Sequence, residues 1–222
     1  MSTLASSAES VPAGYIHRYS YHERICHWIT AIAYSYCLAT GLALYTPHLF
    51  WIAMALGGAP TSRFWHPIFG VGFFLTILWM HGIWRGDVGI SDSDRAWMNS
   101  VKYYATNRDE LVPVQGRFNA GQKLFYWAML YGAVLLLLSG LVMWFPEYIP
   151  AAWHWVRGTA ILIHEAAALI TIGAFIIHVY MGVFLVPDGF HGMLFGYVPV
   201  SFAKLHHRLW YNEVTGERSG KE

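Results

Sequence analysis

Ionisable side chains avoid four long stretches of this chain, and that avoidance decides what it can fold into. No Asp, Glu, Lys or Arg occurs from Ile25 to Ser62, from Phe64 to Trp84, from Leu124 to Pro146 or from Ala166 to Pro187. A helix crossing the hydrocarbon core of a bilayer needs about 20 predominantly apolar residues. The first run exceeds that length, but Tyr45-Thr46-Pro47 should end its helix, because proline disfavours the helical conformation of the residue before it. Leu49 to Leu56 then reads as a short apolar piece at the membrane interface. The fourth helix should begin near Gly158, with Glu165 the one acid between Thr159 and Val186. The expectation is an all-α integral membrane fold, a four-helix transmembrane bundle with spans at about 26–46, 64–85, 122–145 and 159–186.

Composition agrees. Of 222 residues only 12% are charged, about half the share of a soluble domain. That excludes a disordered chain, a nucleic-acid binder and an ordinary soluble enzyme. Four spans put both termini on one side. Twelve of the 14 Lys and Arg lie on that side, and only Arg63 and Arg157 on the other. The positive-inside rule therefore makes both termini cytoplasmic. Residues 1–14 are Ser/Ala-rich without the layout of a signal peptide and read as a disordered tail. Residues 15–212 form the bundle domain and 213–222 a polar tail. The loop 86–121 should carry a polar surface helix around Ser91 to Thr106. The two cysteines form no CxxC or CxxCH, which excludes covalent c-type haem attachment.

The chain has 12 His, almost as many as its Lys and Arg together. Ionisable groups within a span are expensive and point to function. His27 opens the first span, His66 the second, and His164 and His178 lie in the fourth. The last two are 14 residues apart, which is about 21 Å along a helix and about 40° around it. They share one face near opposite ends of the membrane. Following the chain direction, His66 and His164 fall at the outer level, and His27 and His178 at the cytoplasmic level. Two stacked bis-histidine sites result, the ligand pattern of b-type haem. Catalytic zinc takes three close protein ligands, which these pairs do not supply. His81 is the rival of His27, although Arg85 one turn later sets it near the headgroups. His48, His154 and His191 read as interfacial, and His17, His22, His206 and His207 as tail residues. Gly70-Val71-Gly72, Gly132, Ser139-Gly140, Ala166-Ala167-Ala168 and Gly173 either admit flat rings or allow close helix packing. Asn119-Ala120-Gly121-Gln122 reads as an N-cap opening the third span. Glu165 either faces an aqueous edge or takes part in a hydrogen bond.

Several stretches carry a resemblance: Arg24-Ile25-Cys26-His27-Trp28, His66-Pro67-Ile68-Phe69-Gly70, Arg117-Phe118-Asn119-Ala120-Gly121-Gln122-Lys123, Leu162-Ile163-His164-Glu165, Ile177-His178-Val179-Tyr180-Met181 and His206-His207-Arg208-Leu209-Trp210-Tyr211. In this order they resemble the membrane-anchor gamma subunit of respiratory formate dehydrogenase of the N and O type, a diheme cytochrome b. The resemblance implies the same ligand pairs, His66 with His164 and His27 with His178, and a position for His81 that is not a ligand. It implies a menaquinone pocket beside the cytoplasmic-side haem at Asn119, Gly121 and His178, with Gln122 adjacent. It also implies an iron–sulfur (beta) subunit, a molybdenum or tungsten catalytic (alpha) subunit and the bacterial inner membrane.

The expected function is electron transfer. Electrons pass from an iron–sulfur partner on the outer face through two haem b groups to menaquinone or ubiquinone on the cytoplasmic side. The chain itself does no chemistry on formate and acts as the quinone-reducing subunit of the complex. A cytochrome b subunit of a related hydrogenase or other molybdopterin oxidoreductase is the alternative. A proton-coupled transporter with a His relay is more remote, since neither inverted repeats nor broken helices are visible.

Overall fold

The computed structural model describes residues 11–106, 108 and 111–217. The tail expected over 1–14 therefore lies largely outside the described residues. From Pro12 the chain turns into strand β1 (Tyr15–His17) and then helix α1 (Tyr21–Tyr45). A 3-10 turn and short α2 (Phe50–Ala55) lead to α3 (Ala59–Trp84). The surface helix expected after it is two pieces, α4 (Asp92–Asn99) and α5 (Val101–Ala105), interrupted at Ser100. Helices α6 (Ala120–Trp144) and α7 (His154–Val179) follow, and a π-helical turn, Tyr180–Leu185, extends α7. The chain ends in α8 (Pro187–Phe195), β2 (Tyr197–Pro199), α9 (Val200–His206) and α10 (Arg208–Thr215). Four segments are long and apolar enough to cross a membrane: Tyr21–Tyr45, Ala59–Trp84, Ala120–Trp144 and Ala151–Leu185.

The spanning helices begin earlier than the charge-free runs do, and polar residues cap two of them, α1 and α6. Ser20 caps α1, accepting from Glu23 N while the Glu23 carboxylate accepts from Ser20 N at 2.7 Å. This reciprocal box satisfies two of the N–H groups that a helix start leaves bare. Asn119 and Gln122 do the same for α6. Helix α3 starts at Ala59, with Pro60 in its first turn, where no N–H is needed. It runs through Pro67, which membrane helices tolerate where neighbours re-satisfy the freed backbone.

Helix α1 packs along α3, α6 packs along α7, and α3 joins the two pairs, while α1 and α7 make little direct contact. The core between them is Cys26, Ala33, Tyr34, Phe73, Ile77 and Met129 with their neighbours. Gly132 of α6 faces Thr171 of α7, and a Cβ there would collide with the Thr171 methyl. Gly132→Ala should therefore cost about 1–3 kcal/mol by overpacking. Adding Thr171→Ala should restore most of that. Thermal unfolding of the two variants in detergent checks both expectations.

Strands β1 and β2 pair antiparallel, with Ile16 opposite Val198, so the two described ends of the chain meet at one end of the bundle, here the terminal end. Gly196 makes the approach possible. It sits at φ +88°, and its carbonyl accepts from both Arg18 N and Tyr19 N. A Cβ at Gly196 would lie 2.9 Å from the Tyr19 carbonyl oxygen.

Candidate haem and quinone sites

The terminal end is closed by a buried polar clasp. Arg117 donates to Glu23 at 2.6 Å and to Asp87 at 2.8 Å, and Trp84 Nε1 also donates to Glu23, at 2.6 Å. Burial works against the charge of Arg117, but the two carboxylates outweigh it and raise its pKa. Lys123 donates to Asp94 at 2.7 Å and to the Gly89 carbonyl at 2.9 Å. Burial alone would raise Asp94, yet hydrogen bonds from Lys123 and Ser91 hold its carboxyl below the usual range. His207, expected in a polar tail, is instead 1% exposed. Its Nδ1 donates to the Gly116 carbonyl at 2.8 Å and its Nε2 accepts from Arg18 at 3.0 Å. Burial, and then the Arg18 guanidinium, push its pKa well down.

Four histidines meet in two pairs along the inner face of α7. At the far end, His66 of α3 faces His164, with ring centroids 6.3 Å apart. Nearer the terminal end, His27 of α1 faces His178, with centroids 6.2 Å apart. His81 joins neither pair. Its Nδ1 hydrogen-bonds the Tyr126 hydroxyl and its ring stacks on Tyr126. Between the two levels, Tyr34 stands against Phe73 and Phe175, at centroid distances of 5.2 and 5.1 Å.

The surroundings suit a flat metallated ring. A cavity of about 530 Å³ opens at the far-end pair, lined by His66, His164, Gly70, Leu137, Arg63 and Glu165. This falls within the usual range for cofactor sites. Gly41 and Gly140 back onto the histidines, since added Cβ atoms would lie 3.3 Å from His66 Cε1 and 3.4 Å from His164 Cε1. At the other level, His27 Nδ1 is buried with no hydrogen-bond partner among the described residues. Two metal–imidazole bonds of about 2 Å, plus about 1 Å from each nitrogen to its ring centre, sum to about 6 Å. Both pairs show that separation. No group of three or more His, Cys, Asp or Glu able to hold a metal ion occurs among the described residues. The donors come in twos, as axial haem ligation uses them.

Asn119, Gly121 and Gln122 lie at the first turn of α6. Asn119 is 3% exposed, and its Oδ1 accepts from Gln122 N at 2.9 Å. That leaves its amide nitrogen as the group able to meet a further acceptor. Gly121 lies under Trp97 of α4, and a Cβ there would come 3.1 Å from the indole. About one turn after Gly121, Phe125 stacks on His178, with centroids 4.1 Å apart and planes 3° from parallel. The first turns of α6 thus reach the His27/His178 level. Phe125 was not singled out in the sequence, where it is one more aromatic in an apolar run. Nor was Thr40, whose hydroxyl lies 2.8 Å from His66 Nδ1; Ser139, read in the sequence as a small residue admitting a flat ring or close packing, places its hydroxyl 3.0 Å from His164 Nδ1.

Residues 18–196 match the family described as prokaryotic cytochrome b561. The cytochrome b556(Fdn) subunit of the nitrate-inducible formate dehydrogenase of Escherichia coli strain K12 is 30% identical over 208 residues, 92% of this chain and 94% of the relative. The cytochrome b556(fdo) subunit of formate dehydrogenase from the same strain is 34% identical over 198 residues, 89% and 92% of the two chains. The formate dehydrogenase cytochrome b556 subunit of Haemophilus influenzae is 30% identical over 210 residues, 89% of this chain and 87% of the relative.

Proposed function

The chain belongs to the prokaryotic cytochrome b561 family, and we propose that it is the membrane-anchor electron-transfer subunit of a respiratory formate dehydrogenase. Its four apolar helices make it a multi-pass membrane protein, and its family implies b-type haem. The reading assigns two haems, one to His66 and His164 and one to His27 and His178. The observation that carries it is the matched separation of the two pairs, 6.3 and 6.2 Å. Haem held by these histidine pairs would supply one-electron transfer.

The rest falls to the chain. The apolar walls of α1, α3, α6 and α7 exclude water, and Gly41 and Gly140 leave room beside the ligand histidines. The terminal end, with its excess of Lys and Arg, faces the cytoplasm of a bacterial inner membrane. The iron–sulfur and molybdenum or tungsten subunits dock at the far end, as befits relatives that are subunits of formate dehydrogenases. Asn119, through its amide nitrogen, holds a quinone carbonyl beside His178, with Gly121 and Gln122 shaping that pocket. Moving each electron inward across the membrane is worth about 2.3 kcal/mol per 100 mV of potential, supplied by the redox drop.

Quinone kinetics test this function. The haem-loaded full chain, reduced chemically and mixed with a menaquinone analogue, should be reoxidised rapidly. Asn119→Ala should retain its haem while binding quinone about five- to thirty-fold more weakly, the effect of losing a hydrogen bond of about 1–2 kcal/mol. Loss of the cap itself would cost about 1 kcal/mol of stability. Unchanged quinone kinetics, or loss of haem and fold before any kinetic effect, would leave Asn119 a cap and nothing more. Failure of the unsubstituted chain to reduce quinone would contradict the function as a whole.

A further inference from the structure

The two histidine pairs differ in what their Nδ1 atoms touch. At the far end, Thr40 Oγ1 lies 2.8 Å from His66 Nδ1 and Ser139 Oγ lies 3.0 Å from His164 Nδ1. Each hydroxyl already donates to a carbonyl one turn back in its own helix, Thr40 to Tyr36 at 2.7 Å and Ser139 to Leu135 at 2.6 Å. A hydroxyl has one proton and two lone pairs. Both hydroxyls must therefore accept from the histidines. That makes each Nδ1 an N–H donor and leaves each Nε2 its lone pair for a metal. The other pair lacks this support. His27 Nδ1 is buried without a hydrogen-bond partner among the described residues. His178 lies against the apolar face of Phe125.

We propose that Thr40 and Ser139 are positioning residues that set a redox gradient along the bundle. By accepting hydrogen bonds from His66 and His164, they lower the potential of the haem held at the far end below that of the haem held by His27 and His178. The proposal rests on the two-haem reading above. An imidazole whose N–H is hydrogen-bonded is a more basic metal ligand. A more basic axial ligand favours the ferric over the ferrous iron, and such hydrogen bonds are among the means by which a protein sets a haem potential. With haem held at both pairs, one electron would then move downhill from the far end to the terminal end, the far-end group being oxidised as the terminal-end group is reduced. No proton or co-reactant enters that step. The slope points toward Asn119 and the quinone pocket proposed beside His178.

Potentiometric titration of the purified, haem-loaded full chain, followed in the visible spectrum, tests this. Two components should resolve, the lower one belonging to the far end. The Thr40→Val, Ser139→Ala double variant should raise the lower component alone. At a fixed applied potential its oxidised-to-reduced ratio should change at least tenfold, which is 59 mV for a one-electron couple. Thr40→Ser keeps the hydroxyl and should keep the original titration. If the double variant fails to retain the far-end haem, Ser139→Ala and Thr40→Val are read singly against the same expectation. A lower component that does not move, or equal movement of both, overturns the proposal. So does loss of haem in each single variant, which would make the hydroxyls retention groups. A chain with two haems and unshifted potentials sinks the gradient alone, whereas a chain that binds no haem sinks the reading beneath it.

Discussion

His164→Ala should delete one of two redox components from the visible spectrum, leave the other in place, and stop electron flow along the bundle altogether. The same result is expected for His66→Ala, and the complementary one for His27→Ala and His178→Ala. The reason is geometric. Each of the four rings faces one other histidine, at 6.3 Å for His66 with His164 and 6.2 Å for His27 with His178, so each proposed haem would depend on its own two rings. Loss of either level interrupts the route between the far and terminal ends. His81→Ala serves as the control. His81 is tied to the Tyr126 hydroxyl and faces neither pair, so both components should survive its removal. Spectra showing that His81→Ala loses the terminal-end haem while His27→Ala keeps it would reverse the assignment.

Arg117→Ala should cost about 3–5 kcal/mol of stability, the effect of stranding one partner of a buried ion pair. Glu23 has a side chain only 6% exposed and takes its strongest charged contact from Arg117 at 2.6 Å. Arg117 also holds Asp87 at 2.8 Å and donates through its guanidinium to the Arg18 carbonyl at 3.1 Å. Its loss therefore loosens the N-terminal segment, the loop after α3 and the start of α6 together. Adding Glu23→Gln should recover part of the cost, because a neutral amide tolerates burial better than an unpaired carboxylate. A double-mutant cycle of denaturant unfolding in detergent reads the coupling. A single-variant cost below about 1 kcal/mol would mean that the pair behaves as an exposed one.

Much of this was legible in the residues, for physical reasons. Charge is so costly in a bilayer that its absence alone marked four spans. Regular helical rise and chain direction then set His66 level with His164 and His27 level with His178, and the rings do stand opposite one another. Asn119 announced its cap through the Asn-x-x-Gln spacing. Other features carried no such signal. Three-residue strands such as β1 and β2 are too short for a readable alternation. Helix α1 starts at Tyr21, since the Ser20–Glu23 box outweighs the polar character of its first turn. His207 reads as a tail residue because its partners, Arg18 and Gly116, lie 189 and 91 positions away. Thr40 and Ser139 look like ordinary small residues of membrane helices, and only the fold shows which nitrogen each hydroxyl meets.

The central claim is that this one chain holds two b haems on four histidines. Its most direct measurement is the pyridine haemochrome of the purified full chain, set against its protein concentration and paired with a reduced-minus-oxidised spectrum. Two low-spin b haems per chain are predicted. One haem per chain, or none, would contradict the account.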